Sequence, residues 1–236
     1  MESIFQYHAP ASPCGYLPDR TWRLQYEVVG QLTPDEYMQR MQRGWRRFGH
    51  TLFRPQCPGC TACRSLRVLV DRFRPNRSQR RAWAANADVR LTVGEPFVSR
   101  TKLDLYDRYH AFQTDHKGWP EHDPKDPSEY AQSFVENPFP TREWCYTLDG
   151  RLIGVGYVDD LPGGMSAIYF FYDPALRDRS LGTYNVLRLI EHARQRRIPY
   201  VYLGFFVDGC SSLTYKANFR PNQIVDPRGV WVDFRG

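Results

Sequence analysis

Trp144-Cys145-Tyr146-Thr147-Leu148-Asp149-Gly150-Arg151-Leu152-Ile153-Gly154-Val155-Gly156-Tyr157-Val158 is the stretch that decides the fold. Two runs rich in aromatic and β-branched residues flank an Asp-Gly pair. That dipeptide accepts the positive φ angles of a tight turn, so the segment predicts a hairpin of strands 144–148 and 151–158. Leu161-Pro162-Gly163-Gly164 then turns the chain into a third strand, 166–172. Residues 181–196 follow as a helix, with Leu181, Tyr184, Leu187, Leu189 and Ile190 as its apolar positions. Residues 199–206 read as another strand, 211–217 as a short helix and 230–234 as a last strand.

Strand, strand, strand, helix, strand is the order of an acetyltransferase-like core. The expected class is α+β, with an acetyltransferase-like (GNAT-type) C-terminal core over residues 91–236. A smaller Cys-containing N-terminal domain is expected over residues 1–90. Within it, residues 1–32 are strand- and turn-like. Thr33, Pro34 and Glu36 form a helix start with a capping box. Met38, Met41, Trp45 and Phe48 then read as one helical stripe ended by Gly49. A strand is predicted over 66–70, a helix over 77–85, a strand over 89–93, a longer helix from Ser99 to about Asp115, and a short helix over 128–136. The polar, Pro-containing stretch 116–127 reads as a loop or lid.

The 236 residues are 42% hydrophobic, enough to bury a core and to exclude wholesale disorder. Lys and Arg number 32 against 26 Asp and Glu, a net charge of +6 that favours polyanionic partners. The N-terminus, MESIFQYHAP, lacks the basic and apolar regions of a signal peptide, and no apolar run is long enough to span a bilayer. The expectation is a cytoplasmic protein with reduced thiols and no membrane partner.

Cys57-Pro58-Gly59-Cys60-Thr61-Ala62-Cys63 puts three thiols in one turn-rich loop, and Cys14 lies upstream in Pro13-Cys14-Gly15-Tyr16-Leu17-Pro18. Zinc and iron–sulfur centres both accept four thiolates, and Cys14 is the natural fourth ligand if the N-terminal strand folds over the loop. The spacing does not separate the two metals, and buried small apolar side chains are the alternative. Cys145 and Cys210 read as packed thiols.

Arg74, Arg77, Arg80 and Arg81 cluster around Ser78-Gln79. Guanidiniums at a helix N-terminus make a phosphate-binding surface. A solvated face is the plainer reading, but the adjoining cysteine loop favours nucleic acid. In Arg177-Asp178-Arg179-Ser180-Leu181-Gly182-Thr183, Arg179 and Gly182 match a loop that holds coenzyme A pyrophosphate. Tyr184 takes the last small position, where its ring is expected to crowd the phosphates, as in a coenzyme site lost or repurposed. Tyr215 and Lys216 follow a Gly-containing strand end and could steady an oxyanion or an acidic substrate. A core Tyr and a surface Lys are the bland alternative. His110, His116 and His122 have no metal-like spacing and read as surface or capping residues.

Together these pieces resemble the bacterial aspartate/glutamate leucyltransferases, relatives of the eukaryotic arginyl-tRNA–protein transferases. The resemblance rests on Cys14-Gly15-Tyr16-Leu17-Pro18, Phe53-Arg54-Pro55-Gln56-Cys57 with Cys60 and Cys63, and the run Phe73 to Arg81. It continues in Tyr172-Asp173-Pro174, Arg179-Ser180-Leu181-Gly182, Tyr202-Leu203-Gly204 and Tyr215-Lys216-Ala217 with Phe219 and Pro221. It runs nearly end to end, with a looser fit at residues 113–119. It implies leucyl-tRNA as donor and proteins with N-terminal Asp or Glu as acceptors, which are thereby marked for degradation. On that reading, Arg77, Arg80 and Arg81 are expected to bind tRNA phosphate, and Arg179, Tyr215 and Lys216 to line the transfer cleft. Transfer itself would need no cofactor, because the aminoacyl ester is already activated. Zinc or an iron–sulfur cluster on Cys14, Cys57, Cys60 and Cys63 would be additional. The short chain favours a leucyl over an arginyl donor. An acetyl-CoA-dependent N-acetyltransferase and a non-catalytic RNA-binding or redox-sensing module are the readings from other classes. Oligomeric state is not legible.

Overall fold

A computed structural model describes residues 1–234, so the last two residues of the expected 91–236 domain lie outside the described residues. The chain opens with β1 (Glu2–His8), the short β2 (Ser12–Pro13) and β3 (Thr21–Trp22), and β4 (Leu24–Gln31). α1 (Pro34–Gln42), β5 (Arg46–Phe48), β6 (Thr51–Pro55) and β7 (Arg64–Leu69) follow. Next come α2 (Arg77–Ala84), β8 (Arg90–Gly94), α3 (Arg100–Lys117) and α4 (Pro127–Tyr130), which runs into a π-turn at Ala131–Val135. β9 (Thr141–Leu148), β10 (Arg151–Leu161), β11 (Gly164–Tyr172), α5 (Leu181–Gln195) and β12 (Tyr200–Phe206) form the centre of the second half. α6 (Ser211–Thr214), extended by a 3-10 turn at Tyr215–Asn218, leads to β13 (Asn222–Val225) and β14 (Trp231–Asp233).

This is a mixed α+β fold with two main sheets. The small sheet has the order β1-β4-β6-β5, and the large one β14-β13-β7-β12-β11-β10-β9-β8. β7 comes from the first seventy residues yet lies inside the large sheet, so the sheets divide upstream of residue 90. The expected hairpin is β9 and β10, turned by Asp149 at φ 49° and Gly150 at φ 77°. α5 and α2 cover one face of the large sheet, where Leu66, Val68, Trp144, Leu187, Leu189 and Val201 are buried. On the other face, α1 and the small sheet bury Met41, Trp45, Leu52 and Tyr202, and α3 and α4 bury Leu105, Tyr130 and Phe171. Each such side chain contributes about 1.5–3 kcal/mol by leaving water.

The capping box at Thr33 and Glu36 is present, but α1 stops at Gln42. The helical stripe expected to continue to Phe48 is corrected here. Gly44, at φ 83°, reverses the chain, and Trp45 leads into β5, which pairs antiparallel with β6. Gly49 makes the turn between them at φ 50°, and a Cβ there would lie 1.9 Å from the Gln132 carbonyl oxygen. The spacing of Met41, Trp45 and Phe48 imitates a helix, but only a strand lets residues 46–48 pair with residues 51–53.

β5 also rivets the two sheets together. The Arg47 side chain is fully buried, and its Nε donates to Asp159 on β10 at 3.1 Å, with a second bond from Nη2 to the same carboxylate. The remaining donors reach the Gly49 carbonyl, Asn137 and Thr141.

Strands β11 and β12 are the one parallel pair among the described neighbours, joined by the crossover helix α5. They pair at Gly164 with Tyr200, Met165 with Val201 and Ser166 with Tyr202, and then part. β11 goes on with β10 to Tyr172, while β12 goes on with β7 to Phe206. The opening lies at the centre of the sheet. No helix among the described residues is long and apolar enough to cross a membrane.

Candidate active site

Gly204 marks the place where β12 leaves its neighbour. It sits at φ 77°, inside a register shift between Tyr202 and Phe205. A Cβ at Gly204 would lie 3.8 Å from Lys216 Nζ and 3.9 Å from Arg46 Nε. A cation from β5 and a cation from the turn after α6 therefore converge on one backbone position.

Arg46 is 6% exposed. Its Nη1 donates to the carbonyls of Trp45 and Met41 at 2.6 and 3.3 Å, and its guanidinium lies 5.2 Å from the centre of the Phe205 ring. Its Nε and Nη2 are buried with no hydrogen-bond partner. Burial pulls the guanidinium below its ordinary pKa. Lys216 donates from Nζ to the Phe205 carbonyl at 2.7 Å. Burial, reinforced by the charge of Arg46, pushes its ammonium down to about 7. Two unpaired donors on one cation and a readily deprotonated second cation form a place for an oxyanion or carboxylate beside a proton acceptor.

Tyr215 is 41% exposed and lies edge-on to Phe219, at 6.5 Å between ring centres. The turn that carries Tyr215 and Lys216 is tied to the basic helix. Asn76 caps α2 with Gln79 in a reciprocal box, and the buried Gln79 donates from Nε2 to the Asn218 carbonyl at 3.1 Å. Arg77, Arg80 and Arg81 stand exposed on that helix, with Arg80 also holding the Pro75 carbonyl at 2.6 Å.

Arg179 is held elsewhere. Its Nη1 and Nη2 grip Asp88 at 2.7 and 3.0 Å, and Nη1 also meets the Ala85 carbonyl at 3.0 Å. Asn86 clamps the Arg179 carbonyl at 2.7 Å. The guanidinium fastens the segment before α5 to the end of α2, and the structure does not bring it to Lys216. Tyr184 also departs from expectation. Its ring is 3% exposed and packed between Trp83 and Tyr146, so it does not crowd the start of α5, where the space around Gly182 is open.

A cavity of about 270 Å³ opens between the small sheet and the end of β12. Its wall includes Leu17, Leu24, Phe48, Phe53, Phe205 and Val207. Cys14, Cys57, Cys60 and Cys63 also line it, so the structure gathers the thiols named from the sequence around one space. Burial first, then the neighbouring sulfurs of Cys57, Cys14 and Cys60, pushes the Cys63 thiol up to about 12. A cation would relieve that crowding, so the donor set suits zinc or an iron–sulfur centre in kind. Among the described residues, however, no three or more His, Cys, Asp or Glu side chains are grouped as metal ligands. A metal bound by the four thiols would staple the Cys57–Cys63 loop to the Cys14 segment, a structural service.

His110 is another residue whose place the sequence did not reveal. Its Nδ1 donates to the Tyr106 carbonyl at 2.8 Å, which leaves Nε2 to accept from the Tyr169 hydroxyl at 2.8 Å. Burial lowers its pKa to about 4. Tyr169 in turn meets Phe48 edge-on behind the cavity, at 6.0 Å between centres.

Residues 12–81 match the family described as arginine-tRNA-protein transferase, N terminus, and residues 101–226 match its C terminus. An aspartate/glutamate leucyltransferase of Helicobacter hepaticus is 33% identical over 223 residues, covering 94% of this chain and 92% of that protein. One of Campylobacter jejuni is 35% identical over 215 residues, with 90% and 89% covered. One of Halorhodospira halophila is 37% identical over 227 residues, with 92% of each covered. Among solved structures, the C-terminal domain of a putative lysylphosphatidylglycerol synthetase from Agrobacterium fabrum aligns with 73% of this chain and 58% of that one. It has 12% identity and a TM-score of 0.49, too slight a likeness to carry a conclusion.

Proposed function

The chain belongs to the arginine-tRNA-protein transferase family, and on that footing we propose that it moves leucine from leucyl-tRNA to the N-terminal Asp or Glu of acceptor proteins, marking them for degradation. The observation that carries the chemistry is the pairing of Arg46 and Lys216 at Gly204, where β11 and β12 part. A parallel pair that opens beside a crossover helix also supports the acetyltransferase-like reading of the C-terminal core.

The reaction exchanges an ester for an amide. The acceptor's α-amine attacks the leucyl carbonyl carbon, the new C–N bond forms, and the bond to the tRNA ribose oxygen breaks. An α-ammonium titrates at about 7.7–8.0, so it must lose a proton before it attacks. Lys216, poised at about 7, takes that proton in its neutral form and returns it to the departing ribose oxygen. The free Nε and Nη2 of Arg46 donate to the oxyanion of the tetrahedral intermediate. Tyr215, at the mouth of the same turn, faces the incoming acceptor. Arg77, Arg80 and Arg81 hold tRNA phosphates, and Gln79 keeps their helix in register with the Lys216 turn. Zinc or an iron–sulfur centre on Cys14, Cys57, Cys60 and Cys63 belongs to the proposal as a staple and enters no step. The acceptor proteins, the tRNA and a cytoplasmic setting complete it.

The test supplies labelled leucyl- and arginyl-tRNA side by side with peptides beginning in Asp, Glu or Ala. Leucine on the Asp and Glu peptides, but not on the Ala peptide, is the expected result. Transfer of neither amino acid, or tight acetyl-CoA binding with acetylation of the peptide, sinks the proposal.

A further inference from the structure

The transfer proposed above, on which this inference rests, says nothing of what grips the donor's side chain. Phe205 is part of the wall of the cavity of about 270 Å³. The ring of that residue carries Arg46, and its carbonyl accepts from Lys216. The cavity and the two cations thus share one residue. An aminoacyl group whose carbonyl lies at Arg46 and Lys216 has this cavity as the adjoining space for its side chain.

The wall decides which side chain fits. Leu17, Leu24, Phe48, Phe53 and Val207 make it apolar, and among the described residues that line it there is no Asp or Glu. The charged side chain on the wall is Arg20. A guanidinium entering there would give up its water, find no carboxylate, and meet a like charge. A branched aliphatic group has no polar atom to strand and gains from leaving water. We propose that this cavity is the donor side-chain pocket and that it selects leucyl- over arginyl-tRNA by the absence of a carboxylate. Because Cys57, Cys60 and Cys63 stand on the same wall, the cysteine loop also closes the pocket.

The test compares kcat/KM for leucyl- and arginyl-tRNA in the full chain and in two variants. Ala62→Phe fills the cavity from its wall, and Leu17→Glu supplies the missing carboxylate. Ala62→Phe is expected to lower kcat/KM for leucyl-tRNA by about tenfold or more, leaving affinity for uncharged tRNA and the KM of the acceptor peptide unchanged. Leu17→Glu is expected to shift preference from leucyl- toward arginyl-tRNA. Should Leu17→Glu fail to fold, the filled variant decides alone. A folded Ala62→Phe protein that uses leucyl-tRNA like the wild type, or that loses uncharged tRNA equally, overturns the pocket while leaving the transferase standing. A wild-type chain that transfers no amino acid from either tRNA overturns the transferase reading and the pocket with it.

Discussion

Arg46 and Arg47 are neighbours in β5, both buried, and only Arg47 is satisfied. Arg47 places its donors on Asp159, Gly49, Asn137 and Thr141. Arg46 keeps Nε and Nη2 without partners beside Lys216. Successive residues of a strand point to opposite faces, so one guanidinium is built into the joint between sheets and the other is aimed at the opening. Replacing them should therefore do different things. Arg46→Met should lower kcat for leucyl transfer by about a hundredfold or more while the protein melts no lower than wild type. Arg47→Met should cost about 3–5 kcal/mol of stability by leaving Asp159 buried and alone, with partial recovery in Arg47→Met/Asp159→Asn. Thermal melts read beside transfer rates separate the two. Equal effects on both readouts from both variants would remove Arg46 from the site.

The pH dependence of transfer should carry the mark of Lys216. Its pKa is depressed to about 7, so the neutral, proton-accepting form grows as pH rises through that value, and the rate should rise with it. A second limb belongs to the acceptor α-amine at about 7.7–8.0. In Lys216→Arg the side chain stays charged throughout, so the limb near 7 should vanish, the second limb should remain, and the rate should fall. An unchanged profile in that variant would assign the proton to another group.

Arg77, Arg80 and Arg81 should act on tRNA alone. Each change to Ala should weaken tRNA binding and lower the slope of log K against log salt by about one. Acceptor-peptide KM should not move. Filter binding across a salt series, with wild-type slopes in all three variants, would return these arginines to the plain solvated face.

The four thiols should retain about one zinc ion or one iron–sulfur cluster per chain. Anaerobic purification followed by elemental analysis measures it, and Cys60→Ser should lose it. Metal-free protein that folds and transfers leucine at the full rate would make the cysteines mere lining of the cavity.

Gly49→Ala should be among the most damaging single-methyl additions in the chain. The added carbon meets the Gln132 carbonyl oxygen at 1.9 Å and the backbone sits at φ 50°. A loss of at least about 2 kcal/mol in urea unfolding is expected. A melt indistinguishable from wild type would mean that the π-turn can withdraw.

Much of the fold was legible because its signals are local. The Asp149-Gly150 turn, the Thr33 cap and the apolar spacing of α5 each specify their own few residues. The site was legible by half. Lys216 stood out through its neighbours, and the cysteines through their spacing. Arg46 was hidden because Met41, Trp45 and Phe48 read as one helix face, which makes residue 46 a solvent position. Only the reversal at Gly44 and the pairing of β5 with β6 bury it. Arg179 misled for the opposite reason. Its loop pattern is that of a phosphate site, but its partner, Asp88, lies 91 residues away, and no local pattern reports such a pair. The neutral His110, held between Tyr106 and Tyr169, is invisible to spacing for the same reason.

β7 stands between β12 and β13 in the large sheet and pairs with both. A fragment starting at residue 91 would therefore lack the rung that joins its own last strands. Both would be left with bare backbone edges, the kind that recruit other chains and precipitate. The second half of this polypeptide, cut at residue 91, is expected to lack a complete large sheet. During synthesis, β7 must wait for more than a hundred further residues to emerge before the ladder it starts can close.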